Sequence, residues 1–391
     1  MIPYCQHQIR DEDRDAVVRV LESDRLTQGP MVEGFEAALC KRTGASYAVA
    51  VSSGTSALQV ALRALGVGAG DEVIVPSLTF LATANAVLLC GARPVFADVD
   101  SRTLALDPED VARRVTPRTR GAIVVHYAGH VADLRSLRGV LGSDRFLIED
   151  ACHALGAESD AVPVGSGSDA ACFSFHPAKH ITTGEGGAVA TTSAELALRC
   201  RRLREHGVER DAERWSGLGL PGALSAEGEG GWVYEMHALS GNHRLPDLGA
   251  SLGSSQLARL DEILDARRRL VSRYDALLAE EELLQGLAER PGTRSAWHLY
   301  PIRLRYEAIR GGRAAIYRAL QDDGIGVQVH YIPIHLQPFY REHFGTGFGD
   351  LPATEVAYLG LLSLPLFPDL SFGDQDRVVD AVRRALSRHA R

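Results

Sequence analysis

The sequence lacks the patterns that mark membrane, secreted and nucleic-acid-binding proteins. None of its apolar runs reaches the roughly 18 residues that a bilayer-spanning helix needs, and the N-terminus shows no basic-then-apolar signal pattern. Lys and Arg form no block, and the formal net charge of the 391 residues is -8, which argues against nucleic acid as a partner. We therefore expect a soluble cytoplasmic protein that binds small molecules and neither nucleic acid nor a membrane.

Cysteine and histidine are too dispersed for a metal site or a disulfide framework. The six cysteines include no C-x-x-C pair, and no group of histidines has zinc-finger spacing. We expect reduced, mostly buried thiols and no bound metal. The cysteines are Cys5, Cys40, Cys90, Cys152, Cys172 and Cys200.

Short apolar runs typical of strands alternate with stretches of helical periodicity from Tyr47 to Asp150. This alternation predicts an α/β fold whose mostly parallel sheet carries helices on both faces. Ligands of such sheets bind at the carboxyl ends of the strands. Because Thr55, Phe80, His126 and Asp150 all lie at or just past predicted strand ends, we expect them to converge on one site.

The second half of the chain begins with a segment that has no apolar period. Residues 206–240 are rich in Gly, Glu and Ser, most densely at 222–231, which indicates an exposed loop. Helical spacing of apolar residues then predicts one long helix from Leu252 to about Leu278.

The C-terminal part has the pattern of a smaller α+β unit. A strand is predicted at 297–305 and a helix at 313–321, then a turn and strand at 324–330 and a last helix that begins at the capping box of Ser371 and Asp374. We expect a large cofactor-binding domain at residues 1–250 and a small C-terminal domain at residues 251–391.

Lys179 lies in an unusual loop between two apolar runs, Ala170–Cys172 and Ala188–Ala190. Most lysines in loops are simply exposed. An ammonium held between two buried strands should instead be partly desolvated, which lowers its pKa and frees the amine as a nucleophile for carbonyl chemistry.

A strand, a Gly/Ser/Thr turn and a helix start follow one another around Gly54, Thr55 and Ser56. The free N–H groups and the dipole of a helix start favour an anion such as phosphate. Ordinary helix capping by Ser and Thr explains the same residues equally well.

Together these features fit pyridoxal phosphate, which needs an amine, an anion against its ring nitrogen and a phosphate cradle. Lys179 would supply the amine and Asp150 the anion, and the helix start would hold the phosphate. Phe80 could stack on the ring or be an ordinary core residue. His153 could reach the ring hydroxyl or be structural.

Four segments, in this order, resemble the DegT/DnrJ family of sugar aminotransferases: 53–58, 148–157, 174–179 and 182–187. The resemblance covers nearly the whole chain. It implies a fold type I aminotransferase with a seven-stranded sheet, working as a homodimer with shared active sites.

The resemblance also implies roles for individual residues. Lys179 would bind the cofactor covalently, Asp150 would face the ring nitrogen and His153 the ring oxygen, and Phe80 would stack on the ring. The phosphate would be held by Gly54, Thr55, Ser56 and Ser174, and by Asn242 of the neighbouring subunit. Where the family usually has a tyrosine on each side of that asparagine, this chain has Gly241 and His243.

Within the family, residues 1–4, 26–30, 234–236 and 330–338 resemble the PseC type. That type transfers an amino group to carbon 4 of a UDP-linked 4-keto-6-deoxy sugar. Glutamate is the usual family donor, and pyridoxamine phosphate is the intermediate form of the cofactor. Thr27, Gly29 and His330 would face the sugar nucleotide.

Three alternatives stay open at this point. The substrate could be another keto sugar or an aminocyclitol precursor. The chain could be a sugar dehydratase that uses pyridoxamine phosphate, although Lys179 argues against that branch, which has His at this position. It could also be a non-catalytic regulatory protein, which would be expected to have lost the cofactor residues.

Overall fold

The computed structural model describes residues 1–217 and 232–391. Residues 206–240 were predicted to be an exposed loop. The glycine-rich part at 222–231 lies outside the described residues, whereas the two ends of the segment pair as short antiparallel strands at Val208–Glu209 and Glu235–Met236. The strands are β1 (Tyr47–Val51), β2 (Glu72–Pro76), β3 (Arg93–Ala97), β4 (Thr119–Val125), β5 (Phe146–Asp150), β6 (Glu158–Ser159), β7 (Val162–Pro163), β8 (Ala170–Ser174), β9 (Gly187–Thr191), β10 (Val208–Glu209), β11 (Glu235–Met236), β12 (Leu284–Gly286), β13 (Thr293–Arg294), β14 (Tyr300–Leu304) and β15 (Leu361–Leu364).

The α-helices of the described residues surround these strands. They are α1 (Asp11–Leu21), α2 (Pro30–Thr43), α3 (Gly54–Ala64), α4 (Ala82–Leu89), α5 (Pro108–Arg114), α6 (Leu134–Leu141), α7 (Ala194–Arg204), α8 (Asp247–Leu257), α9 (Leu260–Leu278), α10 (Gly312–Asp322), α11 (Pro338–Phe344), α12 (Pro352–Gly360) and α13 (Phe372–His389).

A seven-stranded sheet in the order β1-β9-β8-β5-β4-β2-β3 forms the centre of the fold. The pairs β8–β5, β5–β4, β4–β2 and β2–β3 are parallel, whereas β9 pairs antiparallel with both of its neighbours. The prediction of a mostly parallel α/β sheet is therefore confirmed.

Alternate residues of the central strands enter different hydrophobic clusters, as the period of two in a strand requires. Val73 and Val75 pack with helices α3 and α4, while Ile74 between them packs on the side of α5 and α6. Both faces of the sheet are thus covered by helices, which leaves the carboxyl ends of the parallel strands to form a site.

The predicted long helix from Leu252 to Leu278 is in fact two helices, α8 and α9. They break at Arg259, whose backbone leaves the helical region and whose guanidinium donates to Asp13 Oδ2 at 2.6 Å. Apolar residues continue at helical spacing across the break, so periodicity could not reveal it.

Of the turn and strand predicted at 324–330, the turn is present at Gly324, but the strand is wrong. This segment makes only single bridges, Ile325 with Ile2 and Gln328 with Ser363, because its neighbours are the N-terminal stretch and one end of β15. The C-terminal sheet has the order β12-β14-β15, and its hydrophobic cluster draws mainly on α9, α10 and α13. This separate cluster supports our proposal that residues 251–391 form a small domain beside a large domain at 1–250.

All six cysteines are free, but the expectation that most are buried is wrong. Cys172 and Cys200 are buried, and the other four are partly exposed. Among the helices of residues 1–217 and 232–391, none combines the length and apolar character that a membrane crossing requires.

Candidate active site

The loop between β8 and β9 carries Lys179. Main-chain hydrogen bonds close it at both ends: Phe175 N–H donates to Gly186 O at 2.8 Å, and Thr183 N–H donates to Phe175 O at 3.0 Å. Lys179 N–H donates to His176 O at 2.8 Å. The loop is thus anchored to the two strands, and the Lys179 side chain is half-buried.

Burial lowers the pKa of Lys179, while the nearby acidic groups of Cys152, Asp150 and Cys5 act in the opposite direction. The lowered pKa leaves more of the amine unprotonated, which is the form that attacks a carbonyl carbon. The only other lysine of the chain, Lys41, is exposed on α2. The structure therefore places Lys179 in the desolvated setting expected from its flanking strands.

Asp150 ends β5 and is 6% exposed. Its Oδ2 accepts a hydrogen bond from Thr83 Oγ1 at 2.8 Å, and its Oδ1 accepts one from Cys152 N–H at 3.3 Å. Thr83 is in turn 3.0 Å from Thr79 through the two hydroxyl oxygens. In the part of the chain that the structure describes, no salt bridge reaches Asp150, so this buried carboxylate is suited to a cationic ligand.

His153 and Tyr331 form a hydrogen-bonded aromatic pair next to this carboxylate. His153 Nε2 lies 3.1 Å from Tyr331 Oη. Burial, followed by the charge of Lys179, lowers the pKa of His153 well below its ordinary value, and burial raises the pKa of Tyr331. Both side chains are therefore neutral at pH 7.

Phe80 lies 5.9 Å from Tyr331, measured between ring centroids, and is 56% exposed. It is not a core residue, which leaves its face free for stacking. His330 is buried, and its Nδ1 lies 2.9 Å from Ser363 Oγ. Burial and then the charge of Lys179 lower the pKa of His330 to about 4.

Helix α3 starts at the end of β1 with a cap of serine hydroxyls. Ser53 Oγ accepts a hydrogen bond from Ser56 N–H at 3.0 Å, so Ser53 does cap the helix. That bond does not use the N–H groups of Gly54 and Thr55. Among the described residues these N–H groups have no acceptor, which is the arrangement an anion requires.

Gly54 is needed because α3 and β8 approach each other closely. A Cβ at position 54 would lie 2.9 Å from Ser174 Cβ and 3.0 Å from Cys152 Sγ. The close approach places Ser174, at the carboxyl end of β8, beside the start of α3.

Three further predicted ligand residues make no hydrogen bond to this group among the described residues. Thr27 is exposed, and Gly29 is buried with its N–H donating to Asp247 Oδ2 at 2.8 Å. Asn242 is exposed, and its Oδ1 accepts a hydrogen bond from Arg244 N–H at 3.1 Å.

The expectation that His126 joins the site is wrong. His126 is fully buried, and its Nε2 lies 2.8 Å from Glu149 Oε2. Its Nδ1 accepts from Ala132 N–H at 3.1 Å, so Nε2 carries the proton. Since Glu149 precedes Asp150 in a strand, it points to the other face of the sheet.

Two residues at the site were not predicted from the sequence. The position of Thr83 could have indicated it, because Thr83 lies on α4 one turn after Phe80, which was itself predicted at a strand end. Tyr331 directly follows the turn and strand predicted at 324–330, and only the folded structure brings it to His153.

The residues present fit pyridoxal phosphate. Gly54 keeps a cradle open that a Cβ would fill, Asp150 is a buried carboxylate without an ion pair, and Lys179 is a desolvated amine. These groups match the phosphate, the ring nitrogen and the aldehyde of the cofactor.

Comparison with known proteins agrees with this chemistry. Residues 7–383 match the DegT/DnrJ/EryC1/StrS aminotransferase family. The spore coat polysaccharide biosynthesis protein SpsC of Bacillus subtilis (strain 168) is 38% identical over 385 residues, which cover 98% of this chain and 96% of SpsC.

Solved structures of similar proteins extend over the whole chain. Spr1654 from Streptococcus pneumoniae, in its PMP form, has a TM-score of 0.91 at 29% identity and covers 99% of this chain and 100% of that chain. Helicobacter pylori PseC, an aminotransferase involved in the biosynthesis of pseudoaminic acid, has a TM-score of 0.89 at 29% identity, with 99% of each chain covered.

Spr1654 has also been solved in a PLP form, so a similar protein binds both states of the cofactor that these residues fit. The chain belongs to the DegT/DnrJ/EryC1/StrS aminotransferase family and is a pyridoxal-phosphate-dependent aminotransferase.

Proposed function

We propose that the protein transfers the amino group of L-glutamate to carbon 4 of a nucleotide-linked keto-deoxy sugar, in the manner of PseC. In the net reaction, glutamate and the keto sugar become 2-oxoglutarate and the amino sugar. The observation that carries the proposal is a desolvated Lys179 beside a buried, unpaired Asp150 and an open helix start. The similarity to PseC supports the sugar substrate.

Lys179 is proposed as the catalytic residue. When bound, pyridoxal phosphate supplies an electron sink for the pair left behind as a proton leaves the substrate carbon. Lys179 first holds the cofactor and then, once released, moves that proton as general base and acid. Its lowered pKa suits both roles, because the free amine must be available near neutral pH.

Asp150 is proposed to hold the protonated ring nitrogen. Its position is set by the Thr83 hydroxyl on one oxygen and by Cys152 N–H on the other. A carboxylate fixed in this way needs no reorganisation as charge develops in the ring.

His153, Tyr331 and Phe80 are proposed to orient the ring. His153 and Tyr331 are neutral and share one hydrogen bond, so they can contact the ring oxygen without adding charge. Phe80 is exposed next to Tyr331 and would cover one ring face.

Gly54, Thr55, Ser56 and Ser174 are proposed to hold the phosphate. Asn242 is exposed within one subunit, which supports the proposal that it completes the partner's phosphate site in a homodimer.

Thr27, Gly29 and His330 are proposed to contact the sugar nucleotide. His330 is close enough to Lys179 for the lysine charge to lower its pKa, which supports the proposal that it faces the reacting part of the substrate. Gly29 is held by Asp247, which fixes the loop that presents Thr27.

A second candidate substrate is another keto sugar of polysaccharide synthesis. The similarity to SpsC, a spore coat polysaccharide biosynthesis protein, favours it. A dehydratase is less compatible with the chain, because Lys179 is present at the position that the resemblance links to His in that branch.

The test is a panel of keto sugar nucleotides with L-glutamate, in which 2-oxoglutarate and the mass of the product are measured. The PseC-like proposal predicts turnover of UDP-linked 4-keto-6-deoxy sugars and an amine at carbon 4. Turnover restricted to sugars with another nucleotide, or amination at carbon 3, would contradict it.

A further inference from the structure

His243 lies beside the start of α3, next to the proposed phosphate cradle. Its Nδ1 is 3.3 Å from Ser56 Oγ. Main-chain bonds hold it on both sides: His243 N–H donates to Arg204 O at 2.9 Å, and Ser52 N–H donates to His243 O at 2.8 Å. An ionisable side chain therefore contacts a hydroxyl of the proposed phosphate cradle.

The Ser56 hydroxyl has three polar neighbours and can hydrogen-bond with them in more than one arrangement. Its oxygen is 3.0 Å from Ser52 Oγ, 3.0 Å from Ser53 Oγ and 3.3 Å from His243 Nδ1. A hydroxyl has one proton to give and two lone pairs. If Ser56 turns its proton to a phosphate oxygen, it can accept from two of these three neighbours. Ser53 donates one of the two bonds, and a protonated imidazole can donate the other.

The charges that act on His243 are positive. Arg63 reaches it from α3 and His206 from the turn after α7, and both add to burial in lowering the pKa of His243. At neutral pH the ring is therefore neutral before any anion binds. A phosphate dianion at the start of α3 would reverse this balance and favour the imidazolium.

We propose that His243 is a positioning residue that takes up a proton when the phosphorylated cofactor binds, so that cofactor retention depends on pH. The protonated ring donates to Ser56 Oγ and directs the Ser56 proton toward the phosphate. This inference rests on the proposal that Ser56 contacts the phosphate, and it adds a regulatory property that the transfer reaction itself does not require.

The experiment measures binding of pyridoxamine phosphate to the apoenzyme from about pH 6 to about pH 8.5. This form has no aldehyde and cannot react with Lys179. One pKa unit of coupling changes affinity about tenfold, so wild type should bind roughly tenfold tighter than H243N at the acid end and about equally at the alkaline end. The control H343N removes an exposed histidine of α11 that is hydrogen-bonded to Phe339 O and does not act on the pKa of His243, so it should keep the pH dependence of wild type.

Calorimetry in buffers of different ionisation heat supplies a second measurement that does not depend on activity. Near neutral pH, wild type should take up more protons on binding than H243N does. Equal proton uptake and parallel pH profiles in the two proteins would overturn the inference. The variant S56A distinguishes an error about His243 from an error about the phosphate cradle. If S56A weakens binding while H243N does not, only the role of His243 is wrong. If neither variant changes binding, the proposed cradle is refuted.

Discussion

The hydrogen bond from Thr83 to Asp150 should stabilise the buried carboxylate that we place against the cofactor ring. Thr83 is fully buried, and its hydroxyl lies 2.8 Å from Asp150 Oδ2 and 3.0 Å from Thr79 Oγ1. Because Thr83 has one proton, it donates that proton to the carboxylate and accepts from Thr79. The change T83V keeps the shape of the side chain and removes this donor.

Hydrogen bonds to charged groups contribute about 1.5–3 kcal/mol. We therefore expect T83V to lower the free energy of unfolding of the apoenzyme by about 2 kcal/mol, measured by urea denaturation. The control T79V removes a bond between two neutral hydroxyls and should cost only about 1 kcal/mol. T83V should also weaken binding of pyridoxal phosphate, by roughly tenfold for each 1.4 kcal/mol that the ring interaction loses, and T79V should weaken it less.

Two outcomes would refute this reasoning. If T83V and T79V destabilise the apoenzyme equally, the buried carboxylate does not depend on Thr83. If T83V loses stability but binds the cofactor with wild-type affinity, then Asp150 is a structural residue and does not contact the ring.

Two further predictions concern stability. G54A should destabilise the protein by about 1–3 kcal/mol and weaken cofactor binding, because the new Cβ would clash with Ser174 and Cys152. The control G34A changes an exposed helical glycine with no atom within 4 Å of the new Cβ, so it should stabilise the protein by about 0.5–1 kcal/mol. Equal effects of the two changes in urea unfolding would contradict the close approach at Gly54. Burial lowers the pKa of His130 to about 4, so below about pH 6.5 the unfolded chain binds a proton at this position that the folded protein does not bind. This group alone should lower the free energy of unfolding by up to about 1.4 kcal/mol per pH unit between pH 6.5 and 4, and the buried His153, His180, His298 and His330 add to the slope. H130Q should therefore make the slope shallower without abolishing it, and an unchanged slope would contradict the contribution of His130.

The parts of the fold that follow from local pattern were predicted correctly. The alternation of apolar strands and helices after Tyr47 predicts the parallel sheet, because each βα unit adds a neighbouring strand. At the break between α8 and α9, Arg259 contacts Asp13, 246 positions earlier in the chain, and the local apolar period continues across the break.

The candidate site was predictable where residues follow strand ends. Lys179, Asp150 and Thr55 all do so, and the sheet brings such ends together. His126 also follows a strand end, yet it pairs with Glu149 on the opposite face of the sheet. Which face a side chain takes depends on the register of the strands, and the position of a strand end does not reveal it. Tyr331 reaches His153 from the C-terminal part of the chain, a contact set only by the packing of distant segments.

The rarity of lysine in the chain allows a direct test of the central claim, that Lys179 holds the cofactor. The chain has two lysines, Lys41 and Lys179, and Lys41 is exposed on α2. Borohydride fixes a cofactor joined to a lysine amine as a stable secondary amine, and peptide mass spectrometry then locates it. We predict one cofactor per chain on Lys179, retained in K41A and absent in K179A. Labelling at Lys41, or labelling that persists in K179A, would contradict the account.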